Sequence, residues 1–219
     1  GSPARHVRAI AMLYPTAVQI FVRRSANVHA IQQLRGRTVV VGDRDGYADR
    51  AMRQVLQGYG LTAGDITPVF ASGAAALTPL RAGAVDAIVF YTPYRSQGVM
   101  AAVEAADLAL LPLDRARIAE MQTASERNHF LKTITIPAGT YPHQKHDVVT
   151  MGDEILLLCG ADLDEALVYS LTRALFEAAP ALVAAHPAAA SINPERGPTT
   201  SVPLHPGAAR YYRERELPR

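Results

Sequence analysis

RTVVVGDRDGYADRAMRQVLQGY, residues Arg37 to Tyr59, joins a β-branched run to an amphipathic one through a single turn. Val39, Val40 and Val41 are apolar without alternation, as in a central strand covered on both faces. Past Gly42, Ala51, Val55 and Tyr59 share one helical stripe, with Met52 and Leu56 beside it, so a helix here packs back on the strand. The unit is strand, turn, helix. Its turn, Asp43 to Tyr47, then lies at the carboxyl end of a parallel strand and the amino end of a helix. That is where open α/β sheets bind ligands and where free N–H groups attract anions.

The same alternation spreads outward from this unit. Downstream, strands are expected over Ile66 to Phe70, Val85 to Tyr91 and Leu108 to Leu113. Between and after them come an Ala-rich helix, Gly73 to Arg81, interrupted by Pro79, a helix from Pro93 toward Ala105, and a helix capped by Asp114. Upstream, Arg8 to Tyr14 and Ala17 to Arg24 read as two strands split at Pro15, and Asn27 caps a short helix through Leu34 that ends at Gly36. From Arg37 to about Ser125 the spacing fits right-handed crossovers, which makes the fold class α/β with a mostly parallel sheet. Phe130 to Ile136 and Ile155 to Cys159 are further strands. Asp162 or Asp164 then opens a helix with Leu167, Leu171, Leu175, Ala178 and Leu182 down one side, ending before Pro187, and a short basic helix around Ala208 to Arg215 comes last.

A chain of 219 residues that is 49% hydrophobic can bury a real core. The net charge of +2 comes from nearly balanced acids and bases with no long basic run, so nucleic acid is not an expected partner. The single cysteine, Cys159, excludes an internal disulfide and a multi-cysteine zinc site, and reads as a small buried hydrophobe. No apolar run approaches the ~20 residues that span a bilayer. Gly1-Ser2 has the look of a pair left by proteolytic cleavage, so a leader is compatible with the sequence.

In this order, RAIAMLYPTAVQIFVR, LRGRTVVVGD, VDAIVF followed by a proline, TIPAGTYP, DLDEALVYSLTRALFE and PLHPGAARYYRE occur along nearly the whole chain. Together they resemble the TAXI family of extracytoplasmic solute receptors, which serve TRAP-type transporters. The resemblance implies a periplasmic binding-protein-like α/β fold with two lobes joined by hinge strands and the ligand between them. It places residues 1–24 in hinge and partial first-lobe strands, residues 25–127 in the ligand-binding lobe, and residues 128–219 in a return to the partial first lobe with C-terminal helices. It implies a small carboxylate or amino-acid ligand, membrane transporter subunits as partners, a periplasmic or other extracytoplasmic location, no enzymatic activity and no cofactor.

Two departures shape the expectations. The family's opening βα units have no counterpart before Arg8, so the chain reads as a fragment or a shortened receptor, and a homodimer is expected to cover what is left open. The turn after the Thr38 to Gly42 strand is usually rich in Gly and Ser in the family, whereas here it carries Asp43 and Asp45. Either acid caps the next helix or contacts a ligand.

The ligand-binding residues expected from this reading are Asp43, Arg44, Asp45, Gly46 and Tyr47 in the first turn, Tyr91, Thr92 and Tyr94 after the VDAIVF strand, and Thr140 and Tyr141 in the IPAGTYP turn. Both of the first two groups come after parallel strands and so point to one sheet edge. Arg44 or Arg95 can pair bidentately with a carboxylate, while tyrosines supply apolar walls and a hydroxyl. The blander reading packs Tyr91 and Tyr94 in the lobe and leaves the arginines in solvent. Ser72-Gly73 opens another helix and is a weaker anion candidate. His143, His146 and Asp147 lack a helix to aim them and a third ligand, so a solvated loop is expected rather than a metal site. No G-x-S-x-G elbow, H-E-x-x-H helix or P-loop is present. The alternative to a transport receptor is a ligand-sensing or regulatory interaction module of the same fold, with an α/β enzyme third.

Overall fold

The computed structural model describes residues 6–124, 130–185 and 187–216. Contacts divide the chain into two units, residues 16–153 and residues 1–15 with 154–219. Two long strands, β1 (Val7–Arg23) and β7 (Val148–Gly160), each begin in one unit and end in the other. The boundaries read from sequence, 24/25 and 127/128, do not coincide with these borders, and the second of them, like Ser125, lies outside the described residues.

In the larger unit, β2 (Thr38–Gly42) pairs in parallel with β3 (Thr67–Phe70) on one side and with β4 (Ala87–Thr92) on the other. Three further pairs are antiparallel, so the α/β sheet is mixed and not mostly parallel as its sequence suggested, because β1 enters it beside β4 without a crossover. β1 runs antiparallel to β4 and to β5 (Leu108–Leu110), and β6 (Lys132–Ile136) pairs antiparallel with β7. Strand order is β3-β2-β4-β1-β7-β6. Alternate residues of the central strands feed two cores. Val18, Ile20, Val22, Val39, Val41, Ala87 and Val89 face one cluster, which includes α1 (Tyr47–Gly58) and α4 (Arg115–Thr123). Ala17, Phe21, Val40 and Ile88 face the other, with α2 (Gly73–Arg81) and α3 (Gln97–Ala105). The unbroken valine run of β2 is therefore buried on both faces, and Ala51, Met52, Val55 and Leu56 of α1 pack on it as their spacing requires.

Several elements differ from expectation for local reasons. β1 is one strand and not two, because proline fixes a φ compatible with extended backbone and Pro15 gives up only a donor. Asn27 does not open a helix. It closes the 3₁₀ turn Arg24–Ala26 at φ 52°, a left-handed position asparagine tolerates, and the chain then makes one further 3₁₀ turn, Ile31–Leu34. Pro93 lies in a turn ahead of α3, its carbonyl accepting from Ser96 N–H at 3.4 Å. β7 starts at Val148, well before Ile155, and its early half pairs with β6 from Lys132↔Gly152 to Ile136↔Val148.

Asp114 does cap α4, its carboxylate accepting from Ala116 N–H at 2.7 Å and Arg117 N–H at 3.3 Å. Replacing it with alanine is expected to cost about 1 kcal/mol, read as a lower urea midpoint at unchanged slope. An unchanged midpoint would contradict this role.

The smaller unit packs α5 (Glu165–Glu177) and α7 (Pro206–Glu216) on the first half of β1 and the second half of β7. Asp164 caps α5, accepting from Leu167 N–H at 2.9 Å. Val168 and Thr172 are the buried face of α5, while Leu167 (48%) and Leu171 (44%) stay exposed, so of the leucines that the sequence reading set in one row on α5 only Leu175 packs against this core. The expected single helix is two: α6 (Ala179–Ala185) departs from α5 at 57°, with Pro180 in its first turn, where a missing N–H costs nothing. Tyr212 closes the core by donating to the Ile10 carbonyl at 2.9 Å. Among the described residues no single helix is long and apolar enough to cross a membrane.

Candidate functional site

The parallel pairing of β2 with β4 brings Gly42 and Thr92 to one edge of the sheet, and the antiparallel register sets Ala17 of β1 opposite Thr92. At this edge the Tyr47 and Tyr91 rings stack, with centroids 6.3 Å apart and planes 24° from parallel. Tyr47 is 78% exposed, so one of its faces is open to a ligand. The Tyr91 hydroxyl faces Asp153 and Thr16, and Thr16 Oγ1 donates to Asp153 Oδ1. Burial, then the Asp153 carboxylate, push the Tyr91 phenol far above its ordinary value, so it stays a neutral donor.

Three helices start on this side of the sheet, after β2, β3 and β4. Their N-cap residues, Gly46 for α1, Ser72 for α2 and Ser96 for α3, make no side-chain cap, in contrast with Asp114 and Asp164 elsewhere. Ser72 Oγ instead donates to Asp43 at 2.8 Å. Neither Asp43 nor Asp45 caps α1. Asp45 N–H, at a residue with φ 58°, donates to the buried Asp49 carboxylate at 2.8 Å, and Arg53 pairs with Asp49 and with Asp45. The helix start thus keeps N–H groups available to an anion.

The other expected residues are placed differently. Arg44 is drawn over the Phe70 ring at 3.9 Å, away from the tyrosine pair. Gly46 forms the tight turn, donating from N–H to the Asp43 carbonyl at 2.9 Å. The Thr92 carbonyl accepts from Gln19 Nε2 at 3.0 Å, and Tyr94 packs against the cluster behind the sheet. Thr140 Oγ1 donates to the Pro137 carbonyl at 2.7 Å, within its own turn. Tyr141 is buried, donates to Gln19 Oε1 and accepts from Arg95 N–H at 3.0 Å. Arg95 is exposed, at φ 59°. The structure therefore brings Tyr47 and Tyr91 together and spends Thr92, Thr140 and Tyr141 on internal bonds.

Residues 1–215 match the family described as NMT1-like. This chain belongs to the NMT1-like family. Among solved structures, it is similar to the alkanesulfonate-binding protein SsuA from Xanthomonas axonopodis pv. citri bound to MOPS, at 26% identity over 46% of this chain and 36% of that one, with a TM-score of 0.37. A putative sulfonate ABC transporter, periplasmic sulfonate-binding protein SsuA from Methylobacillus flagellatus KT, is similar at 14% identity over 80% of this chain and 44% of that one, with a TM-score of 0.46. The amino acid ABC transporter substrate-binding protein AbpA from Streptococcus pneumoniae, bound to L-arginine, is similar at 16% identity, over 87% and 64%, with a TM-score of 0.42. The chain spans less than half the length of the first two.

In this NMT1-like protein the residues that sequence reading missed are Thr16, Gln19 and Asp153. Two of them carried a weak signal: Gln19 is a polar residue inside the apolar run AVQIFV, and Asp153 interrupts the apolar strand that becomes β7. Burial also pushes the Tyr141 phenol up to about 12, and it holds the Tyr212 phenol higher still. These protonated forms stabilise the fold fully below the ordinary tyrosine value of ~10, and that stability is lost as pH rises through the folded values. Phenolate absorbance in the folded chain is expected to keep rising well beyond the ordinary tyrosine range, because Tyr91, Tyr141 and Tyr212 stay protonated there. All nine tyrosines titrating together near pH 10 would contradict this.

Proposed function

We propose that this protein is an extracytoplasmic solute-binding protein that holds a small amino acid or organic acid without turning it over and delivers it to a membrane transporter. The observation that carries this reading is the meeting, at one sheet edge, of two kinds of recognition group. Helices α1, α2 and α3 start there without side-chain caps and offer N–H groups to a carboxylate. The Asp153 carboxylate, held by Thr16 beside Tyr91, and the open face of Tyr47 suit an ammonium group. A zwitterion satisfies both. Asp43 and Asp45 on the same turn weigh against a simple dicarboxylate and toward an amino acid. Membership of the TAXI group and service to a TRAP-type transporter remain part of this proposal, supported by the IPAGTYP and LHPGAARYYRE segments.

A thermal-shift screen of α-amino acids against matched organic acids tests the reading. A ligand bound only to the native state adds about 2.7 kcal/mol at a hundredfold excess over its dissociation constant. A raised midpoint with an amino acid, larger than with the matched acid lacking the amine, is expected. No shift with any member of either set would overturn it. The second reading, an interaction module of the same fold that pairs with itself or a regulatory partner, is favoured by one observation: Leu163, Leu167 and Leu171 form an exposed apolar row on and beside α5.

A further inference from the structure

We propose a second ligand site, for a carboxylate with an apolar body, in a cavity of the 16–153 unit formed by the end of β1, β5 and the loop 137–147. The cavity measures about 520 Å³, within the size range of small-molecule sites. Phe21 and Leu108, both buried, and Leu110 make its apolar wall, while Arg24, Lys145 and His146 supply its basic rim.

The loop that carries the rim is built as a fixed platform. Gln144 fills its centre, with Nε2 donating to the carbonyls of Ile136 at 3.1 Å, Pro137 at 2.9 Å and His146 at 3.0 Å, and Oε1 accepting from Tyr141 N–H at 3.2 Å. Asp147 accepts from Ala138 N–H at 2.9 Å and ties the two ends of the loop together. His143, Lys145 and His146, the neighbours of Gln144, line the cavity together with it. His143 is held at φ 61°, a left-handed conformation that a non-glycine residue keeps only where its surroundings impose it.

The placement of the charges, which cancel in sum, points to the class of ligand: Lys145, His143 and His146 lie together on the loop, across from Glu104 of α3. Two acids also line the cavity, Glu104 and Asp107, but Asp107 is paired with Arg24 Nε at 3.0 Å, which leaves the other guanidinium donors to a second anion. Lys145 makes no ion pair or hydrogen bond among the described residues. A cationic lysine beside a half-occupied arginine and two imidazoles recognises an anionic head, and the phenylalanine and leucine wall below takes an apolar body. The amphipathic lining separates this cavity from the sheet edge at Tyr47, where backbone N–H groups and a carboxylate suit a compact zwitterion.

Octanoate is the probe, added to the full chain while amide chemical shifts are followed by NMR, with 1-octanol as its uncharged counterpart. Saturable shifts confined to residues 103–110 and 141–148 are expected, with octanol binding at least tenfold more weakly. The double variant Lys145→Glu/His146→Ala changes two exposed positions and is expected to weaken octanoate at least tenfold with the amide spectrum otherwise preserved. Absence of saturable shifts, shifts centred instead on residues 42–47 and 91–95, octanol binding as tightly, or an unaffected double variant would each overturn the proposal.

Discussion

Replacing Gly152 by alanine is expected to destabilise the fold by about 3 kcal/mol, the upper part of the range for overpacking. A Cβ at this position would overlap the Thr16 carbonyl oxygen and lie 2.9 Å from its carbonyl carbon and 3.0 Å from Ile134 Cγ1. Two of those neighbours are backbone atoms, so no side-chain rotation relieves the clash. Gly152 is also locked from the other side, opposite Lys132 in the β6–β7 register. The strand has no direction in which to yield without breaking pairing. Because Thr16 and Asp153 are the clashing residue and the neighbour of Gly152, the Thr16–Asp153–Tyr91 cluster would be displaced as well. The expected result is a large fall in urea midpoint together with loss of the late Tyr91 titration. A fall of less than about 0.5 kcal/mol would mean that β1 and β7 do not approach as described.

Gly207→Ala is expected to cost a similar amount through the smaller unit. Gly207 sits at the start of α7, where a Cβ would overlap the Glu165 carbonyl oxygen and lie 2.8 Å from the Tyr169 amide nitrogen and 3.1 Å from Val168 Cβ. The two helices touch backbone to backbone there, and only a residue without a side chain allows it. The neighbouring His205 is buried, its Nε2 donating to the Leu163 carbonyl at 3.1 Å and its Nδ1 accepting from Gly207 N–H at 3.2 Å. That bond pattern selects one neutral tautomer and fixes the helix start against α5. Pushing α7 outward would also strain the Tyr212 bond to Ile10 and the parallel Phe176–Tyr211 stack at 5.7 Å. Calorimetry should record a lower or split transition. An unchanged transition would place α7 farther from α5 than it lies here.

These glycines show what was legible in the sequence and what was not. The valine run 39–41 and the α1 stripe declared themselves because burial on both faces and helical periodicity are local patterns. Asp114, and Asp164 as one of two candidates with Asp162, were readable as caps for the same reason: a cap acts within three residues of its own position. Gly152 fell outside the strands read from sequence, since β7 was expected only from Ile155, and its partner Thr16 is remote in sequence. Tyr47 and Tyr91 could be expected near one another because Tyr47 opens the helix after β2 and Tyr91 lies near the carboxyl end of β4, the parallel neighbour of β2. The diversion of Arg44 onto Phe70 and the withdrawal of Tyr141 into a bond with Gln19 depend on contacts between distant segments, which no window of sequence contains. The leucine row of α5 misled because a helix with Val168 and Thr172 beside Leu167 and Leu171 offers two stripes, and only tertiary contact chooses between them.

The most direct test of the central claim is calorimetric titration of the intact chain and of Asp153→Asn with the amino acid that gives the largest thermal shift. The expected result is one saturable site, weakened at least tenfold in the variant, because a neutral amide lacks the charge that holds the ammonium group, with the matched organic acid affected far less. Equal affinity in the two proteins, or no heat of binding for any amino acid tried, would contradict solute recognition at the Tyr47–Tyr91–Asp153 edge.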